Sequence, residues 1–499
     1  MFKKFLYPIP YTLIVILIIA SFLRLYNLIP LDNLILPPGL YPDEAMNGNN
    51  AQEAIDTGNF KVFYPENFGR EGLFINIQSL SVAAFGNKPW ALRLPSAIFG
   101  ILTVIGMYFM TKELFSDKRL ALLAAFLLAT SFWHINFSRI GFRAIMAPAF
   151  LIWAIYLLLK SLNSILRSCD DLNLALPVLA GIIYGLGFHS YIAYRATPLL
   201  ILIILSIIYW QNRDKFSKKK FWTIFAVFGI AAFMAFLPLG IYFLNNPADF
   251  LGRTAGISIF SSQTPLKDLG INILKTAGMF NIFGDFNWRH NISGRAELFW
   301  PVGIFFLVGL FFSVKKILVD KKWASQESII LSWFLISLLP VVISNEGLPH
   351  ALRSILAVPA VFIIAAIGGI KIYELLKSKL NSCWLSVVCC LFLSLLVFEA
   401  YFSYFITWGE NPNVKNAFDY NDYIISQQLN NIPKETPKYV IVPDAKNIIE
   451  RDNPISLQSI LFLTDTFTDK KRAEKNFHYL TKEQTESEKI PTGSFIISL

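Results

Sequence analysis

Two carboxylates, Asp43 and Glu44, stand side by side in Pro37-Pro38-Gly39-Leu40-Tyr41-Pro42-Asp43-Glu44, shortly after the first long apolar run. Acidic residues at the start of a helix satisfy free N–H groups and favour its dipole, for about 0.5–2 kcal/mol. Beside a hydroxyl nucleophile, one carboxylate takes the proton as the new bond forms. Its neighbour orients the acceptor or raises the base's pKa. The residues alone are compatible with both readings at once.

The basic set is the second chemical resource. Arg139 and Arg143, in SerArgIleGlyPheArg, have i, i+4 spacing, which predicts a shared face at a helix end. Arg195 closes HisSerTyrIleAlaTyrArg, and Arg353 closes LeuProHisAlaLeuArg after His350. One reading of these arginines is snorkelling to lipid headgroups. The other is a grip on phosphate, since the guanidinium fork donates two parallel hydrogen bonds. Four of the five histidines, His134, His189, His290 and His350, fall at the ends of apolar runs or in the same connections. Asp285, Asn287, Arg289 and His290 form a polar cluster that either lines a sugar or acceptor pocket, with Arg70, Glu71, His134 and His189, or is an exposed turn. A phosphate leaving group needs cationic stabilisation of its developing charge. No glycine-rich nucleotide fingerprint follows a strand, so the expected donor is a lipid carrier with its phosphate at the membrane surface.

The elements that hold these residues are read from hydropathy. Of 499 residues, 55% are hydrophobic and 16% charged, which makes the bilayer part of the solvent. Apolar runs long enough to cross a ~30 Å hydrocarbon core begin near Ile9, Trp90, Leu120, Ala144, Leu174, Thr197, Phe221, Leu298, Ser328, Ala351 and Trp384, predicting about eleven helices. The net charge of +10 is spread between the runs, which argues against nucleic-acid binding. Lys3/Lys4, Lys112/Lys118/Arg119, Lys160/Arg167, Arg213 to Lys220, Lys315 to Lys322 and Lys371 to Lys379 fall in alternate connections. That phase predicts an uncleaved first helix, a cytoplasmic N-terminus and an outer C-terminus in the plasma membrane. The acid pair and the four arginines then face outward. Cys389 and Cys390 fall in a span, and Cys169 and Cys383 in cytoplasmic loops, with no disulfide framework.

Two long connections, 31–89 and 245–297, lie on the predicted outer side. In the first, Asp43 to Thr57 reads as a helix ended by Gly58, and Glu71 to Phe85 as an apolar helix too short to span; both are expected along the membrane surface. The expected domains are 1–407, the membrane domain, and 408–499, a small α/β region with strands at Lys438 to Val442 and Ser494 to Leu499.

These blocks resemble a known family. Tyr41 to Glu44 is similar to the acidic motif in the first outer loop of GT-C glycosyltransferases, of the family 39/83-like group related to protein O-mannosyltransferases and the lipid A aminoarabinose transferase. GlyArgGluGlyLeuPhe (69–74), AlaLeuArgLeuProSerAlaIlePheGly (91–100), SerPheTrpHisIleAsnPheSerArgIleGlyPheArg (131–143) and ProHisAlaLeuArg (349–353) extend the likeness. The resemblance implies a polytopic α-helical membrane protein of GT-C fold. It implies transfer of a sugar, with inversion, from a polyprenyl-phosphate carrier to a lipid, glycan or protein acceptor. By that likeness Asp43 is catalytic and Glu44 assists. From their chemistry and placement, Arg139, Arg143, Arg195, His350 and Arg353 are expected to bind the donor phosphate. Glu71 resembles the acid of the GluLysProPro block that holds a divalent metal in some relatives, with His290 and His350 as further partners. Here the sequence reads ArgGluGlyLeu without the lysine, which favours Glu71 as a helix N-terminal acid. The rival class is a transporter or flippase of a lipid-linked anion, which places charges at mid-bilayer in two related halves; here they gather at run ends and no half-repeat is visible. A surface-polysaccharide ligase is the third reading.

Overall fold

The structure, a computed structural model, describes residues 10–29, 35–66, 68–167, 172–215, 217–251, 256, 258–442, 449–450, 453–487 and 489–499. Lys3, Lys4, Ile9, Leu31 and Cys169, which enter the topology above, lie outside the described residues. The chain forms two compact units. The span unit comprises Met1–Tyr26, Ser96–Ser138 and Arg143–Tyr404; the acid-pair unit comprises Asn27–Pro95, Arg139–Phe142 and Phe405–Leu499.

An apolar helix stands at each of the eleven expected places. Among the described residues, seven segments are long and apolar enough to cross a membrane: Pro89–Phe115, Arg143–Leu166, Ile192–Asn212, Lys218–Asn245, Trp300–Leu318, Ile355–Lys377 and Ser382–Trp408. Tyr11–Leu25, Lys118–Ala129, Ala175–Gly187 and Gln326–Val342 are shorter. The chain is a multi-pass membrane protein.

Without a hydrophobic drive between helices in lipid, close backbone approach must supply the packing. Gly309 and Gly368 provide it between Trp300–Leu318 and Val358–Lys377: a Cβ on either would overlap the other helix's backbone. Gly181 and Gly185 do the same where Ala175–Gly187 meets Lys218–Asn245. Cys383 lies in the first turn of Ser382–Tyr401 rather than in a loop, because Asn381 caps that helix by accepting the Trp384 N–H at 2.9 Å.

In the acid-pair unit, the helix over Pro42–Thr57 ends at Gly58 in the left-handed region, φ 72°. The next helix begins at Leu73 rather than Glu71, because Arg70–Glu71 pairs antiparallel with Phe63–Tyr64. Gly72 follows that strand, where a Cβ would collide with the Lys61 carbonyl. The polar C-terminal region does not stand alone. Its parallel sheet, in the order Phe477–Thr481, Lys438–Val442, Phe495–Ser498, packs with Gln458–Leu463 around Val440, Ile460 and Leu461. The other side of Gln458–Leu463 sits on the Pro42–Thr57 helix. Asn49 donates to the Gln458 amide oxygen at 2.9 Å, Ser459 donates to the Leu40 carbonyl at 2.8 Å, and Phe462 fills the space that Gly48 leaves open. The C-terminal region is thus the scaffold behind the acid pair.

Candidate active site

Pro42 occupies the first position of its helix, where a missing N–H costs nothing, so Asp43 and Glu44 fall in the first turn. Their environments differ sharply. Glu44 is 0% exposed. Its Oε1 accepts from Arg93 Nε at 2.8 Å and from the Gly141 N–H at 2.7 Å; its Oε2 accepts from Arg93 Nη2 at 2.9 Å and from the Tyr41 N–H at 3.3 Å. Arg93 also donates to the Pro37 and Gly39 carbonyls, at 2.6 and 2.9 Å, and lies over the Phe418 ring. A buried ion pair is sustained only when further hydrogen bonds satisfy both groups, and here they do. The sequence predicts that Glu44 assists Asp43, by orienting the acceptor or raising the base's pKa. With both oxygens engaged and no exposure, Glu44 instead ties loop 37–41 and the Gly141 turn to Arg93. Asp43 keeps a side chain 31% exposed, with Arg70 Nη2 at 3.3 Å from its Oδ2.

Arg139 is fully buried in the same unit, donating to the Leu36 carbonyl at 3.0 Å beside the Phe405 ring. The helical i, i+4 pairing with Arg143 does not form. The Phe132–Phe137 helix ends at Ser138, and a new turn starts at Arg143. Between them Gly141 has its N–H committed to Glu44 and its carbonyl to Asn47 Nδ2. In the span unit each remaining arginine has its own partner. Arg143 lies over Tyr191; Arg195 donates to the Phe250 carbonyl at 2.6 Å; Arg353 donates to Glu346 Oε2 at 2.6 Å and to Ser344 Oγ.

Asp285, His290 and His350 come together. Asp285 Oδ2 lies 2.9 Å from His290 Nδ1 and 3.7 Å from His350 Nδ1, and accepts the Ala351 N–H at 2.9 Å. The Asn287 N–H donates to Oδ1 at 2.8 Å, and the Asp285 N–H donates to Glu297 Oε1 at 3.0 Å. Burial pushes the Asp285 carboxyl up, but the hydrogen bond and charge of His290, with His350 and the Asn287 N–H, hold it below the usual carboxylate range. Burial pushes Glu297 well above that range. The three donor atoms lie within 4.8 Å of one another. One carboxylate with two imidazoles is a donor set suited to a divalent first-row metal such as zinc. Among the described residues no other three such side chains gather this way. Glu71 is not in the set: it is buried in its short strand, immediately before Gly72.

The remaining expected pocket residues are placed as follows. His134 does not face a pocket: it is fully buried, and its Nδ1 accepts from Arg24 Nη2 at 2.8 Å. Arg24 also donates to the carbonyls of Ala20 and Ala129, capping the Lys118–Ala129 helix end. His189 is bound to the Ala235 carbonyl at 3.0 Å, and Arg289 to Asn287 Oδ1 at 3.2 Å. Sequence reasoning missed Arg93, Arg24 and Glu297. Arg93 carried a signal, as the charged residue inside the apolar block AlaLeuArgLeuPro.

Residues 73–239 match the model of the family described as dolichyl-phosphate-mannose-protein mannosyltransferase. In structure the chain is similar to the Archaeoglobus fulgidus oligosaccharyltransferase tethered to an acceptor peptide, with TM-score 0.51 and 17% identity over 95% of this chain and 64% of that one. The chain thus spans less than two thirds of that enzyme. It is also similar to ArnT from Cupriavidus metallidurans bound to undecaprenyl phosphate, with TM-score 0.51 and 13% identity over 91% of this chain and 83% of ArnT. No curated protein matches it in sequence. The resemblance read from the sequence blocks is met by both the family model and the neighbouring structures, and the fold of this chain is that of the GT-C membrane glycosyltransferases.

Proposed function

We propose that the protein transfers a sugar from a polyprenyl-phosphate carrier to a hydroxyl on a lipid, glycan or protein, with Asp43 as general base. The observation that carries this reading is the asymmetry of the acid pair. Glu44 is spent inside the protein on Arg93 and Gly141, whereas Asp43 is held at the same helix turn with its carboxylate accessible beside Arg70. A partly exposed carboxylate in the first turn of a helix would take the acceptor hydroxyl's proton as the glycosidic bond forms, in a single inverting displacement that releases the polyprenyl phosphate. The carriers named for similar folds, undecaprenyl phosphate in ArnT and dolichol-phosphate in an archaeal oligosaccharyltransferase, support the lipid-phosphate donor. Asp285, His290 and His350 would hold a divalent ion, whose charge offsets that of a phosphate. Arg353, three residues beyond His350, is assigned to the donor phosphate, exchanging its bond to Glu346 for one to the lipid. Alternating basic loops support a plasma-membrane location with the C-terminus outside.

The test uses purified protein in vesicles with radiolabelled polyprenyl-phosphate sugars, and membranes from cells lacking the gene as acceptor. Label should leave the carrier and appear in an extracted lipid, glycan or protein. Transfer from a nucleotide sugar, with none from any polyprenyl-phosphate sugar, would overturn the reading.

A further inference from the structure

The helix Pro265–Gly278, in the connection between the Lys218–Asn245 and Trp300–Leu318 spans, is inverted in polarity. Its inward face carries Asn272, 4% exposed, and Thr276, 1% exposed. Asn272 Nδ2 donates to the Val342 and Ser344 carbonyls, both at 3.0 Å, docking the helix on the end of Gln326–Val342. Its outward face shows Leu266 at 86% and Leu274 at 74%, with Ile271 and Ile273 also exposed. A helix facing water does the reverse, and leaving whole leucine side chains in water forgoes the stabilisation of burying them.

Two observations identify the medium. The spans on either side of this connection also turn apolar side chains outward, such as Met234 and Trp300, as segments that cross a membrane must. Lys267 and Lys275 are also on the exposed side, where their stems reach headgroups while the neighbouring leucines stay below. At about 21 Å the helix is too short to cross, so it must lie along the surface.

We propose that Pro265–Gly278 is a membrane-seated helix, with Leu266, Ile273 and Leu274 among the acyl chains and its polar face docked on the protein. The seat fixes the depth of the connection that carries Asp285 and His290, and it stands whether or not the chain transfers sugar.

The test is spin-label accessibility on the full chain in phosphatidylcholine–phosphatidylglycerol vesicles. Cys169, Cys383, Cys389 and Cys390 are replaced by serine, and a single cysteine is placed by Leu266→Cys or Leu274→Cys. Ile230→Cys in a span is the lipid reference, and Glu483→Cys in an exposed C-terminal helix the aqueous one. Labels at 266 and 274 should collide with oxygen in preference to a water-soluble nickel chelate, at a depth of about 5–10 Å. Nickel accessibility like that at 483, at both positions, overturns the proposal. So does dipolar broadening at both that disappears on dilution with unlabelled protein, which would show a second copy covering the face. The two positions are independent, so a misfolded variant at one leaves the other decisive.

Discussion

Replacing Arg93 isolates the role given to Glu44. Arg93→Met removes the donors that reach Glu44, Pro37 and Gly39, and leaves a carboxylate with no exposure facing only the Gly141 and Tyr41 N–H groups. Breaking a buried ion pair from one side costs about 3–5 kcal/mol. In a unit of about 150–250 residues each kcal/mol moves Tm by about 2–4 °C, so a fall of about 6–20 °C is expected. Glu44→Leu combined with Arg93→Met removes both charges. Since apolar replacement of a whole buried pair is often neutral, the double variant should recover most of the loss, short of the two carbonyls still lacking a donor. Thermal unfolding in detergent, followed by intrinsic fluorescence for wild type, both single variants and the double, gives the coupling energy. We expect at least about 2 kcal/mol. Arg93→Met melting within about 2 °C of wild type, or two single effects that simply add, would refute the reasoning.

The other predictions address separate parts of the molecule. His134 is held well below the usual imidazole range by burial first and the Arg24 charge second. The unfolded chain therefore takes up its proton first: the stability it contributes is present above about pH 6.5 and declines as pH falls below that value. His134→Ala should abolish this acid-side decline, and should cost about 2–4 kcal/mol at pH 7 through the cavity and the acceptor lost to Arg24; a melting curve unchanged across pH 5–7 relative to wild type would count against it. Asp422 has its carboxyl pushed up to about 7 by burial and by Asp419. The native state thus keeps that proton to higher pH than the unfolded chain, so stability should fall between about pH 4 and 7, and Asp422→Asn should flatten that slope in Tm against pH. Gly368→Leu forces a side chain into the Phe305 backbone and should cost at least about 1–3 kcal/mol, read as lost yield of monodisperse protein. If the Asp285 group binds metal, elemental analysis should find about one divalent ion per wild-type chain and near none in His290→Ala, with EDTA suppressing transfer.

Hydropathy and turn chemistry made much of the architecture legible in advance, because spans and helix stops are local properties. Gly58 ends its helix for the reason its sequence suggests, and the strands at Lys438 and Phe495 lie where β-branched and aromatic residues cluster. Partnership was less legible, because it depends on distant segments. The spacing of Arg139 and Arg143 implied one helical face, but Glu44, about a hundred residues earlier in sequence, captures the Gly141 N–H and breaks the helix between them. The sequence predicts His134 as a pocket residue, but Arg24, about a hundred residues earlier, holds it inside the protein. Asp285, His290 and His350 were each singled out, but only the fold puts the 349–353 turn against the 285–290 turn. The difference in environment between Asp43 and Glu44 is invisible in a dipeptide and follows from Arg93.

The most direct test is single-turnover sugar transfer by Asp43→Asn, with donor saturating and Tm recorded in parallel. A general base contributes about 10²–10⁴ in rate, so the account predicts a loss of at least two orders of magnitude in the chemical step with donor affinity and Tm near wild type. Transfer by Asp43→Asn at the wild-type rate would contradict it.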